Sequence, residues 1–136
     1  MKSATELITD IDEITKSIKD NPESLSTAVV ELAQKNTGLG NWLAQAQEAE
    51  RALDRDLKIA RNRVVVEGRK ADGKKAVGAL EAEALLGTEE LWSELVEVQN
   101  AVGLYKIKRN DVQTLIDSLR SRLAVIRNDM RNENGV

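Results

Sequence analysis

Apolar residues recur along this chain at alternating steps of four and three, the spacing that holds side chains on one stripe of an α-helix. Leu7, Ile11, Ile14 and Ile18 form the first stripe and predict a helix over 4–19, capped by Ser3 or Thr5. Asn21-Pro22 ends it and opens the next helix, because proline is harmless at a first helical position. Leu25, Val29 and Leu32 mark that second helix, which Asn36-Thr37-Gly38 is expected to stop near residue 35. A third stripe reads Leu39, Leu43, Ala46, Glu50, Leu53, Leu57, Ala60 and Val64, and Gly68 closes it. An exposed loop over 69–75 and a short helix over 76–86 follow, ending at Gly87. The longest stripe starts behind Thr88, the expected N-cap, and runs Leu91, Leu95, Val98, Val102, Tyr105, Arg109, Val112, Ile116, Leu119, Leu123, Ile126, Met130.

That last helix, ending near Arg131, would be about 65 Å long at ~1.5 Å per residue. A stripe of that length needs a partner helix along it. The third helix supplies one if the two run antiparallel, in which case facing residues have a constant sum of numbers. Setting Val64 opposite Leu95 fixes the sum at 159 and places Glu50 opposite Arg109, the only polar members of the two stripes. A structural ion pair between Glu50 and Arg109 is therefore expected to fix the register; the plainer reading is that each snorkels to solvent. The predicted class is all-α: a long antiparallel, coiled-coil-like hairpin with two short N-terminal helices. The expected divisions are an N-terminal helical pair over 1–38, the hairpin over 39–132 with a basic tip loop over 68–75, and a disordered tail over 133–136. The N-terminal helices either fold back on the overhanging end of the last helix, from Ser121 to Arg131, or exchange with a neighbouring chain.

Composition narrows the chemistry. The chain has no Cys, no His and no Phe, so its core must be aliphatic; thiol nucleophiles, disulfides and imidazole bases are excluded. No catalytic residue, no metal ligand set and no cofactor is assigned. The glutamates around Leu91 lack the Glu-x-x-His pairs of a di-iron bundle. Gly68-x4-Gly73-Lys74-Lys75 lacks the strand and the Ser/Thr of a phosphate-binding loop. The first fifteen residues are acidic and lack a signal peptide's apolar run, and no window is apolar enough to span a membrane, so a cytoplasmic protein is expected.

The net charge of −3 conceals blocks. Residues 51–75 hold nine basic and four acidic residues, whereas 76–103 hold six acidic residues and no basic one. The basic block supplies the candidate nucleic-acid-binding residues Lys58, Arg61, Arg63, Arg69, Lys70, Lys74 and Lys75, since Lys and Arg neutralise phosphates and release counterions. On the 159 register Glu89, Glu90, Glu94 and Glu97 run beside Lys58, Arg61, Arg63 and Arg69 and neutralise much of it. No aromatic lies among these basic residues in sequence, so base stacking is not available from them. A second basic set, Lys106, Lys108, Arg120, Arg122, Arg127 and Arg131, reads as charge flanking a coiled coil. Trp42 and Trp92 read as packing at hairpin ends.

The order of parts carries a resemblance. A basic helix enters a Gly-bounded, Asp-containing loop (Val64-Val-Val-Glu-Gly68-Arg-Lys-Ala-Asp72-Gly73-Lys). An acidic stretch from Glu81 to Glu97 follows, then a long helix ending in Ile126-Arg127-Asn128-Asp129-Met130-Arg131. Over about 48–134 this resembles the small helical UvsY-type recombination mediators of T-even phages. The resemblance implies an oligomeric accessory protein of the host-cell cytoplasm. It implies binding to single-stranded DNA through Lys58, Arg61 and Arg63, and contact with a recombinase or a single-strand-binding protein. Where that family has aromatic residues before the glycine, this chain has Val64, Val65 and Val66. The alternative is a protein–protein module: a structural or assembly adaptor, or a phage inhibitor of a host defence enzyme.

Overall fold

The structure, a computed structural model, describes residues 2–71 and 76–133. These form four helices and no strand: α1 (Ala4–Ser17), α2 (Pro22–Ala71), α3 (Val77–Gly87) and α4 (Glu89–Glu133). The chain is all-α, and its two long helices, α2 and α4, pack against each other as a helical hairpin. Contacts divide it into two compact units: unit 1 is Met1–Leu43 with Leu104–Val136, and unit 2 is Ala44–Gly103.

Local chemistry sets the first boundaries. Ser3 is extended, and its Oγ accepts from the Glu6 N–H at 3.1 Å, meeting one of the donors a helix start leaves open. At the other end the Thr15 and Ser17 hydroxyls donate to the Ile11 and Ile14 carbonyls, and Ile18 turns extended. Asn21 Oδ1 then accepts from the Ser24 N–H at 2.9 Å, capping α2 with Pro22 in its first turn.

The expected stop at Gly38 does not occur: residues 22–71 are one helix of 50 residues. A glycine ends a helix by taking a left-handed φ, and no described glycine has one. Glycine has another use here. A Cβ on Gly38 would stand 3.0 Å from Leu7 Cδ1, and one on Gly40 would stand 3.0 Å from Arg109 Cζ. The missing side chains make space for neighbours. Gly68 also lies inside α2, where it receives Leu80 of α3.

Unit 1 is a three-helix core. Leu7 and Ile11 of α1 meet Leu25, Leu32 and Leu39 of α2 and Val112, Ile116, Leu119 and Leu123 of α4. Within the chain α1 packs against α2 and against the part of α4 between Lys108 and Leu123, largely short of the Ser121 to Arg131 stretch expected to receive it. Polar ties surround this core. Arg122 grips Asp20 through two hydrogen bonds of 2.9 and 2.8 Å, Lys108 meets Asp12 at 3.0 Å, and Asp10 takes Lys2 and Lys35. The Trp42 indole N–H donates to the Lys2 carbonyl at 3.0 Å.

Unit 2 has a thinner core of Leu57, Leu80, Ala84, Leu95 and Val102, with Thr88 buried among helices. Thr88 was expected to cap α4. Its hydroxyl instead donates back to the Ala84 carbonyl at 2.6 Å, so it closes α3. The register also differs from expectation. The numbers of Gly40 and Arg109, in contact in unit 1, add to 149, and those of Arg61 and Trp92, in contact in unit 2, add to 153. In unit 2 a sum of 152, one heptad below 159, sets Leu57 opposite Leu95, both 2 % exposed. In unit 1 the sums run lower still, since the numbers of Asn36 and Arg109, joined by a hydrogen bond, add to 145. A stripe repeating every seven residues fits almost as well after a seven-residue slip, so aliphatic spacing alone does not choose between the two.

The Ile116→Ala variant is expected to lose about 2–5 kcal/mol in urea unfolding, because its fully buried side chain would leave a cavity where three helices meet. A loss under ~1 kcal/mol would contradict that core. Acid is a second probe. The Arg122 guanidinium beside Asp20 holds its carboxyl below the usual range, and Lys2, then Lys35, does the same for Asp10. Depressed carboxylates give stability that is present at neutral pH and lost as pH falls below about 4. An Asp10→Asn/Asp20→Asn variant should therefore lose less thermal stability than the parent between about pH 5 and pH 2. Parallel curves for the two proteins would show that these pairs contribute nothing.

Candidate nucleic-acid interface

The basic residues of unit 2 lie along α2 and differ in what surrounds them. Lys58 is exposed and is held by Asp54 one turn back, Nζ to Oδ2 2.9 Å. Arg61 is half-buried; its guanidinium carbon lies 5.8 Å from the centre of the Trp92 ring, within cation–π range, and its Nε is buried without an acceptor. Arg63, Arg69 and Lys70 are exposed, and no ion pair of theirs is recorded among the described residues. The candidates Lys74 and Lys75 lie outside the described residues.

Trp92 is what sequence reasoning missed. It is 48 % exposed and stands beside Arg61, so the basic stretch of α2 does have an aromatic neighbour, supplied by α4. The 159 register hid it by setting Arg61 opposite Val98. The register one heptad lower sets Arg61 opposite Leu91, next to Trp92.

The expected neutralisation does not appear either. Glu89, Glu90, Glu94 and Glu97 are exposed, and none has an ion pair recorded among the described residues. None of them lines the groove beside Lys58 and Arg61, whose one acidic lining residue is Glu81 of α3. That groove, about 590 Å³, is lined by Lys58, Arg61, Asn62 and Val65 of α2 and by Glu81, Ala84 and Leu85 of α3. The α3 helix is mostly apolar apart from Glu81 and Glu83, yet it buries only Leu80 and Ala84; Val77, Leu85 and Leu86 face outward, Leu86 at 76 % exposure.

The structural ion pair expected between Glu50 and Arg109 joins residues of different units, and no ion pair is recorded for either one. Arg109 is placed within its own unit, its guanidinium against Gly40 and its Nε buried without an acceptor. In the second basic set, Lys108 and Arg122 are taken up by Asp12 and Asp20 of the segment around α1.

No described helix is long and apolar enough to cross a membrane. Comparison with known proteins finds no matching family model, no matching curated protein and no matching solved structure.

The Arg61–Trp92 contact is open to optical test. In a Trp42→Phe background, Arg61→Ala should raise acrylamide quenching of the one remaining tryptophan by roughly half, because a guanidinium over the ring shields it. Unchanged quenching would show that the stack is not held in solution.

Proposed function

We propose that this chain is a non-enzymatic accessory protein of DNA recombination or replication that binds single-stranded DNA through the basic residues of unit 2. The observation that carries the reading is the half-exposed Trp92 beside Arg61, with Arg69 within a quarter turn of Arg61 around α2; Arg63 and Lys70, also exposed and without recorded ion pairs, lie on the far side of that helix. Single-strand binding without sequence preference needs cations for the backbone and an aromatic face for a base. Both occur in one unit. Supporting this is the UvsY-type order of parts, which adds self-association and contact with a recombinase or single-strand-binding protein to the proposal. A chain without Cys or His suits a binding role better than a catalytic one.

The outward apolar side of α3 favours a second reading, a protein–protein module. Exposed apolar side chains grouped on one short helix mark a surface that a partner can cover, and α3 leaves Val77, Leu85 and Leu86 exposed. In the first reading that surface serves the protein partner; in the second it is the whole function.

Fluorescence anisotropy of a labelled oligonucleotide, single- or double-stranded and at low or moderate salt, separates them. The first reading expects micromolar or tighter binding that prefers single strands and weakens steeply with salt. It expects Arg63→Ala/Arg69→Ala/Lys70→Ala to weaken binding about tenfold or more and to flatten the salt slope. Trp92→Ala should weaken it by about 5- to 100-fold, the range for loss of one base stack. Lys58→Ala should matter least, since Asp54 already holds that side chain. Absence of binding at low salt would retire the DNA reading and leave the module.

A further inference from the structure

We propose that unit 1 contains a second binding site, a cleft between α2 and α4 that takes the phosphate group of inorganic phosphate or of a phosphomonoester. The cleft, about 380 Å³, is lined by Asn36 and Leu43 of α2 and by Lys106, Arg109, Asn110 and Gln113 of α4. Two of its six lining residues are cations, three are amides, and none is acidic. Lys106, Arg109 and Gln113 follow one another at steps of three and four, so they share one side of α4. The site uses none of the basic residues of unit 2 and stands independently of the DNA reading.

Two unmet hydrogen-bonding groups indicate what the cleft is built to hold. Arg109 has no recorded ion pair, and its Nε–H is buried without an acceptor. The guanidinium lies close over Gly40, where a Cβ would stand 3.0 Å from Arg109 Cζ and push the side chain aside by a few tenths of an ångström. A half-buried guanidinium in this state calls for an oxyanion. Asn36 is 6 % exposed; its amide nitrogen donates to the Arg109 carbonyl at 3.4 Å, and its Oδ1 is buried without a donor. Gln113 already donates its amide nitrogen to Asp117. The cleft thus offers cationic donors together with one buried acceptor. Phosphate fits both: a phosphomonoester has its second ionisation near pH 6 and inorganic phosphate above that, so each has at pH 6 a singly charged form with a P–OH to give to Asn36 Oδ1. Sulfate and an internal phosphodiester have no such proton at that pH. The volume leaves space for a small organic group on the ester beside Leu43.

The test is thermal unfolding of the full chain at pH 6 in sodium phosphate, sulfate or chloride at matched ionic strength. A site predicts that phosphate raises the midpoint above sulfate, by about 3–5 °C at ten times Kd. Arg109→Met, which removes the charge and keeps the bulk, should weaken phosphate at least tenfold. Lys106→Met, an exposed change that leaves the core alone, should weaken it several-fold. A short oligonucleotide with a 5′-phosphate, set against its 5′-hydroxyl form, identifies the source. Competition by the phosphorylated form alone assigns the site to a strand end, and competition by neither assigns it to free phosphate. Equal stabilisation by phosphate and sulfate, the general effect of excluded salts, would overturn the proposal. So would an undiminished phosphate shift in Arg109→Met.

Discussion

Everything in this chain depends on covering the aliphatic stripe of α4. The stripe contains no aromatic except Tyr105, and each of its residues buries modest area, so its worth comes from continuity. α2 packs against it, and in unit 1 α1 adds a third wall, where Ile116, Leu119 and Leu123 are buried. In unit 2 the third element is α3, only 11 residues long, and the core is correspondingly small. In unit 2, Trp92, Leu85 and Leu86 are left exposed.

The helices were legible in the sequence because helical spacing and capping chemistry agree. Ser3, Asn21-Pro22 and Gly87 sit at or beside real boundaries. Gly38 misled because a glycine serves two purposes, a left-handed turn or a close approach, and sequence does not distinguish them. The approach of Leu7 and Arg109 decides for the second, and both residues are remote in sequence from residues 38–40. Thr88 misled similarly: its hydroxyl can cap the helix ahead or bond back to the turn behind, and burial beside Ala84 selected the latter.

The candidate site was half legible. Charge blocks identified Arg63, Arg69 and Lys70 directly, because exposed cations need no tertiary partner to be recognised. The aromatic could not be found that way. Trp92 belongs to the site only through register, and the register was inferred from one polar pair in otherwise repeating stripes. A periodic interface reports its own phase poorly; only its irregularities fix it. Here the irregularities that fix the contacts are the glycines, Gly40 under Arg109 and Gly68 under Leu80, together with the reach of Arg61 to Trp92.

That shift of phase has a consequence for Arg109. On the expected register its charge would be answered by Glu50, and the residue would be structural. In the register seen, the chain provides Arg109 with space, in Gly40, and with neighbours that are amides or cations, in Asn36, Asn110, Gln113 and Lys106. A helix core tolerates a charge far better when something pairs with it. An apolar residue at position 109 would continue the stripe, and its absence there costs packing that the two helices could otherwise have had. The exception to the stripe is thus better explained by something that Arg109 holds than by the helix it lies on.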